Sequence, residues 1–229
     1  MCGRYSIAVS RGDLESYLKE NFSIALLPET ITLPRYNVAP SEDVISLISD
    51  GHNYRVGLLK WGFLPEYAKD ETKPIINTRS ETVDKLYSFK KSFVERRCII
   101  LADGFFEWER STSTKTPYRF ILKNQKIFGF AGLWSVFTDK SGNKTYTTTI
   151  ITTKANSLMA EIHERMPVIL NEEDAKKWLD PSLKDTEALK EILLPYDENE
   201  MELFEVTSKV NNAKYKEKDT IIPIKKSTD

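Results

Sequence analysis

Apolar positions recur along this chain with two periods, and the switches between them mark its elements. In SRGDLESYLKENF (10–22) Leu14, Tyr17 and Leu18 fall on one side of a helical period, and Ser10 or Asp13 can cap the start, which predicts a short amphipathic helix. In LPRYNVAPSED (33–43) Pro34 and Pro40 each push the preceding residue out of helical geometry, so the stretch reads as a loop. DVISLIS (43–49) and YRVGLLKWGFLP (54–65) read as two strands joined by a turn built from Asp50, Gly51 and Asn53. SETVDKLYSFKKSFVERR (80–97) sets Val83, Leu86, Tyr87 and Phe93 on one side behind Ser80 as a cap, and predicts a helix.

The middle of the chain changes period. CIILADGFFEWER (98–110), PYRFILK (117–123), IFGFAGLWSVFT (127–138) and KTYTTTIITTKA (144–155) are heavy in β-branched and aromatic residues, with SGN (141–143) as a hairpin turn between the last two. ANSLMAEIHERM (155–166) fits neither period cleanly, while MPVIL (166–170) reads as a short strand with Pro167 at an edge or a start. NEEDAKKWL (171–179), capped by Asn171, and DTEALKEILL (185–194) predict helices, and FEVTSKV (204–210) a strand. Strands that follow one another without helices between them pair antiparallel. The expectation is a single α+β domain over residues 1–229, with a mostly antiparallel, barrel-like sheet core and short flanking helices.

Composition narrows the class. A chain of 229 residues, 40% hydrophobic and 29% charged, can bury a substantial core and is ordinary for a globular protein. Its longest apolar runs, such as Cys98–Ala102 and Ile127–Val136, fall far short of the roughly 20 residues of a membrane span. Arg4, Arg11, Asp13 and Glu15 interrupt anything resembling a signal peptide, so a cytoplasmic protein with reduced thiols is expected. Thirty-three Lys and Arg balance 34 Asp and Glu, a net charge of -1, and any binding of nucleic acid must use a local patch.

Against that background the opening MCGRY stands out, because one of only two cysteines directly follows the initiator methionine. Loss of Met1 would give Cys2 a free α-amine next to its thiol, a 1,2-aminothiol able to form an imine with an aldehyde and close a thiazolidine ring. The plain alternative is that Cys2 is simply small enough to permit methionine removal. Glu107 alternates with Phe106 and Trp108 along ADGFFEW, and desolvation among apolar neighbours would suit it to proton transfer; a salt bridge or a solvent-facing position is the competing reading. His163 lies beside Glu164 and Arg165 ahead of an apolar strand, whereas His52 sits in a turn. Asn77, in PIINTRSE, is either a cap or a site residue, and Arg79 can pair with Glu81 or hold a phosphate. Cys2, Cys98, His52 and His163 show none of the short paired spacings of structural zinc sites, so no metal and no cofactor are expected.

Taken in order, MCGRY, RYNVAP (35–40), WGF (61–63), NTRSE (77–81), ADGFFEW (102–108) and HERMPVIL (163–170) resemble the SRAP family of abasic-site processing proteins over nearly the whole chain, through VTSKVNNAK (206–214). The resemblance implies a covalent sensor of abasic sites in single-stranded DNA, with Cys2 as the thiazolidine-forming nucleophile. It also implies that Asn77 positions the sugar remnant, Glu107 acts as acid and base, and His163 aids sugar opening. It further implies DNA contacts at Arg4, Asn37, Pro40, Trp61, Arg79 and Ser208, a monomer, nucleoid association when DNA is bound, and associated peptidase and lyase activity. Two other classes stay open: a cysteine hydrolase using Cys2 and His163, and a non-catalytic single-stranded DNA-binding module.

Overall fold

The computed structural model describes residues 2–70, 72–109 and 115–224. In chain order they form β1 (Tyr5–Ile7), α1 (Arg11–Phe22), β2 (Arg35–Val38), β3 (Asp43–Ser49), β4 (Tyr54–Trp61), β5 (Asn77–Arg79), α2 (Lys90–Glu95), β6 (Arg97–Ala102), β7 (Gly104–Trp108), β8 (Pro117–Leu122), β9 (Phe128–Thr138), β10 (Lys144–Lys154), α3 (Ser157–Ala160), β11 (Arg165–Pro167), β12 (Ile169–Leu170), α4 (Glu172–Leu179), α5 (Thr186–Glu191) and β13 (Met201–Glu205). The class is α+β, mostly sheet with a few short helices.

Two sheets divide the strands. One has the order β13-β8-β7-β1-β2, and the other runs β11-β10-β4-β3-β6-β9-β12, with β5 beside β10 and a further pairing of β9 with β10 that makes it barrel-like. Most pairs are antiparallel, as expected, but β10 runs parallel to β4 through Thr147 and Thr148 and parallel to β5 through Ile150, Ile151 and Thr152. Thus β4 and β5 lie along the same neighbour, separated by the excursion 62–76. Side chains from both sheets meet in a core where Tyr5, Trp61, Phe105, Phe120, Phe128 and Phe130 are fully buried or nearly so.

Local signals explain the elements that formed as expected. Ser10 accepts the Asp13 N–H and Asp13 reaches back to the Ser10 N–H, a reciprocal cap that starts α1 and leaves Leu14, Leu18 and Phe22 buried. The β3–β4 hairpin turns through Gly51 at φ +92°, a conformation that favours glycine. Asn171 caps α4 through the Asp174 N–H.

Other segments differ. In 80–97 only Lys90–Glu95 is helical, because Val83 and Phe93 are buried while Leu86 and Tyr87 are 46% and 70% exposed, so the apolar residues do not share a face. The helix starts at Phe89 without a side-chain cap, and Ser80 is buried. The stretch read as a loop contains β2, paired with β1 between the two prolines. The run CIILADGFFEW breaks at Asp103 into β6 and β7, which belong to different sheets. FEVTSKV leaves its strand at Glu205 and becomes a 3-10 turn over Ser208–Asn211. The ambiguous 155–166 resolves into α3, capped by Asn156, and a turn leading into β11.

Candidate functional site

The site begins on β1. Cys2 is fully buried three residues ahead of that strand, and the pairing of Tyr5 with Phe105 and Ser6 with Gly104, continued by the Phe106 N–H bonded to Arg4 O at 2.9 Å, carries β7 back alongside it. Alternation along β7 then sorts the side chains. Phe105 stacks on Phe120 in the main core, Phe106 and Trp108 pack on the other face with Val206 and Val210, and Glu107 takes the first face at 3% exposure. Burial and the neighbouring Glu107 charge push the Cys2 thiol far above the ordinary thiol range, opposed in part by the Arg4 backbone N–H aimed at the sulfur. A buried thiol and a buried carboxylate therefore lie close enough for the charge of one to bear on the other.

A second group sits on β5. Asn77 and Arg79 share one face of this three-residue strand, Arg79 exposed, Asn77 half-buried. Both polar atoms of the Asn77 side chain, Oδ1 and Nδ2, are buried without a hydrogen-bond partner. An unbonded buried amide costs stability, and such a group in a native fold calls for an explanation. Trp61 links this strand to the first group: its ring lies 5.5 Å from that of Tyr5, and its Nε1–H donates to Ile76 O, next to Asn77, at 2.9 Å.

His163, 4% exposed, precedes β11, which pairs with the opposite side of β10 from β5. Its Nδ1 lies 3.0 Å from the Arg165 backbone nitrogen and 3.2 Å from the Arg165 carbonyl oxygen, which holds the ring against the start of β11. Arg165 grips both oxygens of Glu81 and donates to Thr152 O, so the turn after β5, the last residues of β10 and the His163 segment are fastened together.

Among the expected DNA contacts the structure separates surface from interior. Arg79 and Ser208 are exposed and Pro40 is half-buried. Trp61, by contrast, is 1% exposed and packs in the core, so it cannot present an aromatic face to a ligand; the close of β4 against β10 turns it inward. Asn37 is 1% exposed, with Oδ1 accepting from Arg4 and Nδ2 donating to the carbonyls of Val210, Asn212 and Tyr215. It is a clamp for the C-terminal segment. Arg4 itself is half-buried, donating to Asn37 and Val210 O and lying 5.8 Å from the Trp108 ring.

Sequence reasoning missed an aromatic groove of about 350 Å³ opening beside the 62–76 excursion, lined by Glu66, Tyr67, Tyr87, Lys90, Lys91 and Arg96, with Glu66 paired to Lys91 at 2.9 Å and to Arg96. Tyr67 and Tyr87 lie 5.0 Å apart, 54% and 70% exposed, and Lys90 sits 5.2 Å from the Tyr87 ring. The signal is the pairing of tyrosine with lysines in KLYSFKK, masked by the helical spacing of Leu86 and Tyr87 from Val83. Among the described residues no three of His, Cys, Asp and Glu gather where they could hold a metal ion, and no helix is long and apolar enough to cross a membrane.

Comparison with known proteins places these features. Residues 1–213 match the family model described as SOS response associated peptidase (SRAP). Over 218 residues the chain is 46% identical to the abasic site processing protein YoqW of Bacillus subtilis strain 168, covering 93% of this chain and 96% of that one. It is 30% identical over 190 residues to the abasic site processing protein YedK of Escherichia coli K12, covering 82% and 83%. A crystal structure of a protein from Bacteroides thetaiotaomicron superposes with a TM-score of 0.77 at 27% identity, covering 90% of this chain and 93% of that one.

Proposed function

Because the chain belongs to the SOS response associated peptidase (SRAP) family, we propose that it senses abasic sites in single-stranded DNA and captures them covalently through Cys2 once Met1 has been removed. The observation that carries this reading is the pairing of β1 with β7, which brings the segment of the buried Cys2 alongside the strand of the buried Glu107, whose charge bears on the thiol. An abasic site offers no base edge, so recognition uses phosphate, stacking and the aldehyde itself. Arg79 and Lys90 supply cations, Lys91 being paired with Glu66, and Tyr67 and Tyr87 supply faces for the flanking bases.

The proposed capture proceeds in two bond-forming steps. The α-amine freed by loss of Met1 attacks the aldehyde carbon of the ring-opened sugar, and water leaves to give an imine. The sulfur adds to the imine carbon, its proton passing through Glu107 to the nitrogen, and a five-membered thiazolidine closes. With its thiol pushed up by burial and by Glu107, Cys2 holds a neutral sulfur until a base takes the proton, which favours the amine as first nucleophile. The unbonded amide of Asn77 offers a donor and an acceptor to the sugar hydroxyls, and His163 serves the opening of the sugar.

A cysteine hydrolase built on Cys2 and His163 would need a depressed thiol pKa, the reverse of the shift here. Autopeptidase action on Met1 and weak lyase action through the imine are further parts of the proposal, as are a monomeric state and a mechanism without metal. Intact-protein mass spectrometry before and after incubation with abasic single-stranded DNA tests it. Loss of one methionine mass and then a heat-stable DNA adduct support the reading; a processed N-terminus that yields no adduct overturns it.

A further inference from the structure

The strand that carries Cys2 is held by few backbone bonds. β1 has three residues, its register against β2 is irregular between Tyr5 and Ile7, and it pairs with β7 at Tyr5 and Ser6 only. The alignment matters because side chains alternate along a strand: a slip of one residue would send Glu107 to the face of Phe106 and Trp108, away from Cys2.

What compensates is a charged side chain at the junction of the two sheets. Asp103, between β6 and β7, accepts the Ser6 hydroxyl on Oδ1 at 2.6 Å and the Ala8 N–H on Oδ2 at 2.9 Å, while its own N–H donates to Ser6 O at 2.9 Å. Arg119 of β8, 7% exposed, completes the cluster: its Nη2 lies 3.0 Å from Asp103 Oδ1 and 3.1 Å from Ser6 Oγ. The guanidinium lies flat over Gly104, where a Cβ would come within 2.7 Å of Nε and 2.8 Å of Cζ. A buried pair of this kind is weak as a source of stability but strongly directional.

We propose that Asp103 and Arg119 are positioning residues that fix the register of β1 against β7 and so keep Cys2 facing Glu107. Their polar atoms are turned onto Ser6, the Ala8 N–H and each other, which is how they would act through the strand. The inference rests on the proposed roles of Cys2 and Glu107, and its consequence is kinetic: weakening the pair lowers the rate of covalent capture at saturating DNA and leaves noncovalent affinity intact.

Asp103→Asn, which keeps the side-chain shape and removes the charge, is the first variant, and Gly104→Ala, which displaces the guanidinium, is the second. Three quantities are measured on the matured full chain: capture rate at saturating abasic single-stranded DNA, affinity for the same strand carrying an unreactive tetrahydrofuran site, and amide hydrogen exchange. The expectation is a capture rate reduced about tenfold or more, affinity for the tetrahydrofuran strand within about twofold, and faster exchange at Phe106, whose N–H bonds Arg4 O, with Ala131, bonded to Val168 O, unchanged. Unchanged capture and unchanged Phe106 exchange in both variants overturn the inference, as does a loss of affinity in proportion to the loss of rate. If the parent protein forms no adduct, the proposed function fails, while the exchange at Phe106 still decides the register.

Discussion

Glu107 and Asn77 separate function from stability in opposite directions. Glu107→Gln keeps the shape and removes the proton acceptor, so capture at saturating DNA falls by about 10²-fold while affinity for a tetrahydrofuran strand is unchanged; stopped-flow quenching followed by gel separation of the adduct reads this. Asn77→Ala removes two buried polar atoms that have no partner, so the apo protein unfolds at the same or a higher temperature while capture slows. A variant that lost both stability and capture would mark Asn77 as a structural amide. Cys2→Ser, for its part, leaves an amine able to form an imine and no sulfur to close the ring, so any adduct is lost on heating.

At the scale of elements, α1 offers a cleaner test of local energetics. Ser10→Ala removes one half of its reciprocal cap and should cost about 1 kcal/mol by denaturant unfolding. The Lys126 ammonium and the Ser10 cap hold Asp13 down at about 2, so its contribution to stability is complete above the ordinary carboxylate value near ~4 and is lost as pH falls through about 2. Asp13→Asn should flatten that acid limb of the stability profile. In the groove, Tyr67→Ala and Tyr87→Ala should each weaken binding of unmodified single-stranded DNA by about 1 kcal/mol or more, measured by fluorescence anisotropy. Elements with a strong local code were legible in the sequence: the Ser10 cap, the Asp50–Gly51 turn and the Asn171 cap each act within a few residues. The break at Asp103 was not, because both halves of CIILADGFFEW have strand character and only long-range partners, Ser6 and Arg119, show where the chain changes sheets. The motifs single out Cys2, Glu107, Asn77 and His163 as candidates, but they do not reveal that Trp61 and Asn37 face inward, since burial is set by packing between segments far apart.

For the whole molecule, thiols and phenols held in the interior set its response to base. Burial pushes Cys98 and Tyr17 up to about 12 and raises Cys2 and Tyr5 further. Acids whose folded pKa is raised stabilise fully below their unfolded values, near ~8.5 for thiols and ~10 for phenols, and that stabilisation is lost as pH rises beyond them. Unfolding midpoints should therefore decline from about pH 8.5 upward, more steeply past about pH 10, and a Cys98→Ala variant should show a shallower first phase by differential scanning calorimetry. The Asn37 clamp ties distant parts of the chain together. Arg4 is bonded to Asn37 and Val210 O, and Asn37 to the carbonyls of Asn212 and Tyr215, so one buried amide holds the segment ahead of β1 against residues 210–215, and a loosening of either is felt at the other.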